Sequence, residues 1–267
     1  MTKVFSCPVC KEHLFCENRT YKCPNNHCFD MAKEGYVNLL VGSKSTDFSG
    51  DDKQMVSSRT RFLDGGHYEP LRNSVCRLLK KYVPDGKKLL DAGCGEGYYT
   101  SAYSELFEDT VGVDISKSAV RHASKRCKNA SFAVGSVYHL PISDKSCDAV
   151  VNCFSPNAPD EFLRVLADGG YLFYVVPAPR HLWELKCILY EKPYENEEKI
   201  EQYQGFEYIG AEKTGNVFTL DTREDIDALF HMTPYTWNTP DDGKERLSKV
   251  ESLSVTADFT IHIYRKK

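Results

Sequence analysis

No stretch of this chain approaches the roughly 20 consecutive apolar residues needed to cross a bilayer, and mean hydropathy is −0.46. No membrane association is therefore expected. There is no internal repeat and no low-complexity tract, which sets aside solenoids and disordered arrays. The opening Met1-Thr2-Lys3-Val4-Phe5 is not followed by the apolar run of a secretory signal. The expected location is cytoplasmic, where thiols stay reduced, so the 11 cysteines are not read as a disulfide framework. An excess of positive charge is missing too. Lys and Arg number 34 against 38 Asp and Glu, a formal net charge of −4. That excludes a protein coated in basic surface and leaves nucleic-acid binding to local patches. The 267 residues suffice for one large domain and a small one.

What is present is concentrated in two stretches. The first is Leu89-Leu90-Asp91-Ala92-Gly93-Cys94-Gly95-Glu96-Gly97, followed by Tyr98-Tyr99-Thr100. Two apolar residues end a buried strand, Asp91 follows, and Gly93, Gly95 and Gly97 alternate before a helix opens. Glycines at this spacing let the backbone turn sharply and approach a ligand at the positive end of a helix. A second acid, Asp114, ends the next strand (Thr110-Val111-Gly112-Val113-Asp114), where it can accept both hydroxyls of a ribose. Together these features resemble the S-adenosyl-L-methionine (SAM) site of class I methyltransferases.

The second stretch is Cys7-Pro8-Val9-Cys10, with Cys23 and His27 further on. Two ligands on each of two facing turns make a tetrahedral Zn2+ site. Thiolate and imidazole suit that borderline-soft ion. Cys28 adjoins His27, so an all-cysteine site remains the near alternative, and Cys16 is a spectator between the knuckles.

The remaining pattern organises the chain. Residues 1–41 read as a zinc-binding module too small to bury much core, so metal supplies its folding energy. Residues 42–53 have linker composition, and 54–267 form the SAM-dependent methyltransferase domain. Helices are expected over 54–63 and 68–82, the latter with Leu71, Val75, Leu78, Leu79 and Tyr82 on one face. Strands follow near 88–92, 110–114, 131–134, 148–154 and 170–176, alternating with helices, and 254–264 closes the sheet as an antiparallel strand. The fold class is α/β: a Rossmann-like class I methyltransferase domain with a small zinc module in front.

Ligands of such sheets sit beyond the carboxyl ends of the strands. Ser136 and Val137 stand where the adenine edge is usually read. Asn152-Cys153-Phe154-Ser155-Pro156 stands where nitrogen methyltransferases face their acceptor, but it departs from their usual Asn or Asp, two prolines and an aromatic. Arg59, Arg61, Arg72, Arg77, Lys80, Lys81, Lys87 and Lys88 crowd one segment, which points to an RNA-facing N-terminal side.

Further runs extend the resemblance to nearly the whole chain. They are Phe29-Asp30-Met31-Ala32-Lys33-Glu34-Gly35-Tyr36-Val37-Asn38-Leu39-Leu40, Gly66-His67-Tyr68, Pro179-Arg180-His181-Leu182 with Glu184-Leu185-Lys186, and Met232-Thr233-Pro234-Tyr235 with Trp237. With the zinc knuckle and the glycine loop, they resemble the RlmA family of rRNA guanine-N1 methyltransferases. The resemblance implies zinc on Cys7, Cys10, Cys23 and His27, and SAM contacts from Tyr68, the 93–97 loop, Asp114 and His181. It implies as substrate a guanine in a hairpin (the helix 35 region) of bacterial 23S rRNA, near the peptide exit tunnel. It also implies a homodimer whose two zinc modules help form an RNA cleft. Guanine N1 must be unpaired and lose its proton before it reacts. Asp64, His67 and Glu69 flank Tyr68 as conceivable bases, and none is singled out as catalytic. Two other classes share parts of this pattern: a small-molecule SAM-dependent methyltransferase, and a non-catalytic zinc-ribbon adaptor for RNA or protein.

Overall fold

The computed structural model describes residues 4–41 and 52–267. Most of the expected 42–53 linker therefore lies outside the described residues. The chain begins with three short strands, β1 (Phe15–Glu17), β2 (Thr20–Lys22) and β3 (Cys28–Asp30), that form their own antiparallel sheet. Glu17 pairs with Thr20, leaving only Asn18 and Arg19 in the turn. Both have positive φ (49° and 64°), the geometry of a tight two-residue hairpin.

β4 (Tyr36–Asn38) leaves this small sheet and pairs parallel with β7 (Ala130–Val134), Tyr36 opposite Phe132 and Asn38 opposite Val134. A second seam lies close by. Ser6 N donates to Pro141 O (3.0 Å) and Ser143 N to Val4 O (2.8 Å). Phe5, Leu14, Tyr21, Val37 and Leu39 are buried in one cluster with Leu90, Val111 and Ile142. The module borrows the core of the larger sheet because it is too small to build one.

The main domain starts with α1 (Lys53–Asp64), capped by Asp52, whose Oδ1 accepts from Met55 N (2.8 Å), and α2 (Glu69–Tyr82), with Tyr68 at its N-cap. Alternation then follows as β5 (Lys88–Ala92), α3 (Tyr98–Tyr103), β6 (Asp109–Asp114), α4 (Lys117–Arg126), β7, β8 (Cys147–Cys153), α5 (Pro159–Val165), β9 (Leu166–Pro177) and α6 (Trp183–Leu189). After α6 come β10 (Phe206–Leu220), α7 (Arg223–His231), α8 (Tyr235–Asn238), α9 (Asp241–Ser248) and β11 (Leu253–Lys266). The sheet order is β10-β11-β9-β8-β5-β6-β7-β4. Strands β5 to β9 run parallel, and β11 runs antiparallel between β9 and β10, the expected closing strand. Strand order reverses at β5, with β6 on one side and β8 on the other, so the crevice at their carboxyl ends is where a ligand settles.

Two differences from the sequence reading stand out. The strand expected to run to residue 154 ends at Cys153, because Phe154 turns to φ +55°. β10 was not anticipated. Exposed residues such as Glu207 and Lys213 alternate with half-buried ones such as Thr214 and Asn216, and a bulge between Tyr208 and Gly210 interrupts its register.

Candidate functional site

The glycine loop leaves β5 with Gly93, Gly95 and Gly97 at φ +85°, +54° and +83°. A Cβ on Gly93 would fall 2.1 Å from Ser155 Oγ, and one on Gly97 2.9 Å from Ala123, so side chains there are excluded by neighbours as well as by torsion. Gly95 differs: a Cβ there would meet nothing nearer than Arg59 Nη1 at 3.9 Å. The loop is thus locked from behind at two glycines and open at the third.

The acids play three separate parts. Asp114 accepts from Gly95 N (2.9 Å) and Ser116 N (2.8 Å), tying the end of β6 to the loop. Asp91 is buried beneath the loop and accepts from Thr100 Oγ1 (2.6 Å), bracing β5 against α3. Burial pushes its pKa up to about 7. Glu96 is also buried, and burial raises its pKa while Arg59 and Arg126 oppose that rise. Among the described residues its Oε1 has no hydrogen-bond partner. A buried orphan acceptor beside a glycine cradle fits a ligand that brings N–H or O–H donors. Gly135 N donates to Asp114 O (2.9 Å), placing Ser136 and Val137 in the turn directly after β7. Ser136 Oγ accepts from Tyr138 N (3.2 Å), and Val137 is buried.

Across the crevice lies an aromatic group. Tyr68 and His181, 113 residues apart, meet with OH and Nε2 at 3.3 Å, both buried. Phe259 on β11 packs against both, at 4.9 and 4.8 Å between ring centroids, and Phe154 lies 5.5 Å from Phe259. Burial pushes the His181 pKa down to about 3, with the Asp258 carbonyl working the other way, so the imidazole is neutral near pH 7. Phe154 combines a left-handed backbone with 45% exposure. Such strain in a bulky residue persists where the surroundings impose it, and it collects at functional sites. Sequence reasoning missed Phe259, because alternation within a strand marks it only as buried.

The flanking groups considered as bases are engaged structurally. Asp64 pairs with Arg126 (2.7 Å) and Glu69 with Arg72 (2.7 Å). His67 is half-buried between Phe62 and Phe218, at 4.7 and 4.6 Å. Much of the positive charge is also paired across the fold: Arg61 with Asp225 (2.8 Å) and Arg77 with Glu212.

Cys7, Cys10, Cys23 and His27 bring their ligand atoms within 4.8 Å of one another. Cys10 Sγ and Cys23 Sγ are 3.6 Å apart, and Nδ1 of His27 lies 3.5 Å from Cys7 Sγ and 3.3 Å from Cys23 Sγ. A tetrahedron with zinc–sulfur bonds of about 2.3 Å has edges of about 3.8 Å, so the donor set fits zinc closely. A hydrogen bond with the Asn25 side chain holds the Cys10 thiol down at about 6, towards the thiolate a metal requires. Cys28 stays outside the cluster, exposed, its thiol 3.5 Å from Asn26 O. Of the two adjacent candidates, His27 lies in the donor group and Cys28 does not.

No helix among the described residues is long and apolar enough to cross a membrane. Residues 5–46 match the RlmA N-terminal zinc-ribbon family, and residues 90–174 match the methyltransferase domain family. The 23S rRNA (guanine(748)-N(1))-methyltransferase of Streptomyces fradiae is 32% identical over 274 residues, spanning 98% of this chain and 97% of that protein. YxjB of Bacillus subtilis, whose name carries 23S rRNA guanine-N(1) methylation as a provisional assignment, is 30% identical over 98% of this chain and 97% of its own length. The crystal structure of Bacillus subtilis YcgJ superposes with a TM-score of 0.51 at 18% identity, covering 73% of this chain and 98% of that one, a likeness of fold alone. A zinc ribbon and a SAM-type glycine crevice, carried in this order along a chain matched nearly end to end, place the protein in the RlmA family of rRNA guanine-N1 methyltransferases.

Proposed function

We propose that this enzyme transfers a methyl group from SAM to N1 of a guanine in the helix 35 hairpin of bacterial 23S rRNA, in the cytoplasm and as a homodimer. The observation that carries the reading is the end-to-end match with the Streptomyces fradiae enzyme, zinc module included. A small-molecule methyltransferase has no need of that module, and a non-catalytic adaptor has no need of the orphan Glu96 acceptor beside a glycine cradle. SAM supplies an electrophilic methyl on a sulfonium. The 93–97 loop and Asp114 hold its nucleoside end, Ser136 and Val137 line the adenine edge, and Glu96 accepts a hydrogen bond from it. Tyr68 and His181 close the crevice opposite and exclude water, so positioning does most of the work.

The guanine must leave its pair, because N1 lies on the Watson–Crick edge. Phe154, exposed at the end of β8, offers a face for the extruded base. In this reading residues 1–41 are the metal-held reader of the hairpin, 42–53 the tether, and 54–267 the catalytic domain, with Cys7, Cys10, Cys23 and His27 as zinc ligands. The test is methylation of unmodified 23S rRNA with labelled SAM, followed by primer extension. Arrest at a single guanine of the helix 35 hairpin is the expected result, since N1 methylation blocks pairing. Label on another RNA, or on small molecules alone, refutes it.

A further inference from the structure

Lys186 has 0% exposure. Its ammonium donates to Tyr194 O (3.0 Å) and Asn196 Oδ1 (2.8 Å), and the rings of Tyr194 and Tyr235 lie 4.6 and 6.0 Å away. Burial lowers its pKa, with the charge of Glu195 opposing. A buried ammonium held by neutral oxygens and ring faces is an expensive way to fill space, and the 179–186 run has so far supplied a role only for His181.

The contacts around Asn196 connect the two. Asn196 donates from Nδ2 to Ala178 O (2.8 Å) and from its backbone N to Pro179 O (2.8 Å). Those carbonyls belong to the turn that delivers His181, whose own N donates to Ala178 O (3.0 Å). Lys186 occupies the amide oxygen of Asn196, which turns the amide nitrogen towards Ala178. From the other side β11 holds the same turn. Leu182 N donates to Thr256 O (2.8 Å), and the Glu184 carboxylate accepts from Thr256 N (2.9 Å) and Oγ1 (2.8 Å). Leu182 sits at φ +54°, a conformation that such bracing maintains.

We propose that Lys186 is a positioning residue for His181: through Asn196 it fixes the 178–182 turn and thereby the imidazole against Tyr68. The inference rests on the reading of His181 as part of the site. Removing the ammonium leaves Asn196 Oδ1 unpaired and frees the amide that donates to Ala178 O, while the main-chain bond to Pro179 O stays; the turn is held less tightly, so the imidazole samples more than one position.

The test uses the full-length protein with Lys186→Met, Asn196→Ala, His181→Ala and the Lys186→Met/His181→Ala double variant. Two quantities are read: the nitrogen NMR signals of the His181 ring, and single-turnover methylation of 23S rRNA with SAM. The ring signal is assigned by its loss in His181→Ala. Expected are a shifted or broadened His181 signal in Lys186→Met, about a tenfold slower turnover, and no further loss when Lys186→Met is added to His181→Ala. Asn196→Ala reproduces the ring signal change and stands in if Lys186→Met fails to fold. An unchanged ring signal in the folded variant, or a full multiplicative loss in the double variant, overturns the proposal. If His181→Ala alone is without effect on turnover, the reading of His181 as a site residue fails, and the ring signal still decides the clamp.

Discussion

The phenol of Tyr68 and the imidazole of His181 meet at 3.3 Å across the wall of the crevice, one at the start of α2 and the other between β9 and α6. With His181 neutral, the tautomer sets the direction: a proton on Nδ1 leaves Nε2 to accept from Tyr68, and a proton on Nε2 reverses the bond. Tyr68→Phe keeps the ring contact with Phe259 and deletes only this hydrogen bond. The expected cost in folding stability is about 1 kcal/mol, with weaker binding of S-adenosylhomocysteine. Urea denaturation and calorimetric titration measure the two effects. An unchanged affinity in the folded variant would remove Tyr68 from the donor site.

Asp114 joins β6 to the glycine loop. Asp114→Ala loses the anchors for Gly95 N and Ser116 N together with the acceptor proposed for the ribose. Donor affinity is expected to fall by about 2 kcal/mol or more, roughly thirtyfold. Calorimetry giving an undiminished affinity would mean that the ribose is held elsewhere.

Asp91 makes stability depend on pH in an unusual direction. Its carboxyl titrates near 7 in the fold against an ordinary value of 3.8. Between those values the folded state holds a proton that the unfolded state releases. The contribution to stability is therefore present below about pH 4 and is lost as pH rises through 7. Asp91→Asn removes the titration while keeping an acceptor for Thr100. The melting temperature of the variant relative to the parent should rise from pH 5 to pH 8, and a pH-independent difference would contradict the assignment.

Phe154 holds its ring at the mouth of the crevice through a left-handed backbone. Phe154→Gly relieves that conformation and Phe154→Ala does not, so the glycine variant should be the more stable of the two by about 1 kcal/mol. Both lose the aromatic face and should lose rRNA methylation alike. Thermal melts and turnover assays on the pair separate strain from stacking. Equal stability of the two variants would show that the conformation is not strained.

Metal removal should be felt beyond the zinc knuckle. Val4 and Ser6 are hydrogen-bonded to residues 141–143, and β4 to β7, at the sheet edge that carries Ser136 and Val137. Chelation is expected to release one zinc per chain and to raise amide exchange at 132–134 and 141–143. Faster exchange confined to residues 4–30 would show that the module and the sheet are energetically independent.

The parts legible in the sequence were those governed by local rules. Apolar runs marked the parallel strands, glycine spacing marked the loop, and the cysteine spacing nearly completed the metal set. The cysteine spacing could not separate His27 from Cys28, because the two are adjacent and which of them lies near the other three donors depends on the fold. β10 escapes a local reading because it is an edge strand whose polar and apolar residues do not alternate (Glu212, Lys213 and Thr214 are consecutive), with a bulge at 208–210. Nor could local pattern show that Arg61 meets Asp225 or that Arg77 meets Glu212. Those pairings depend on which distant elements become neighbours, and they take charge out of what reads along the chain as a basic cluster.

The pairing of β4 with β7 also bears on how the protein is made. Tyr36 leaves the ribosome about 100 residues before its partner Phe132, and at 5–20 residues per second that is a wait of roughly 5–20 s. During that time Val37 and Leu39, buried in the finished protein, have no sheet to join. A nascent chain that captures its metal early can hold Cys7 to His27 in register through this interval. A cell starved of zinc would then be expected to show its defect first as a lower yield of newly folded protein, before mature copies lose activity.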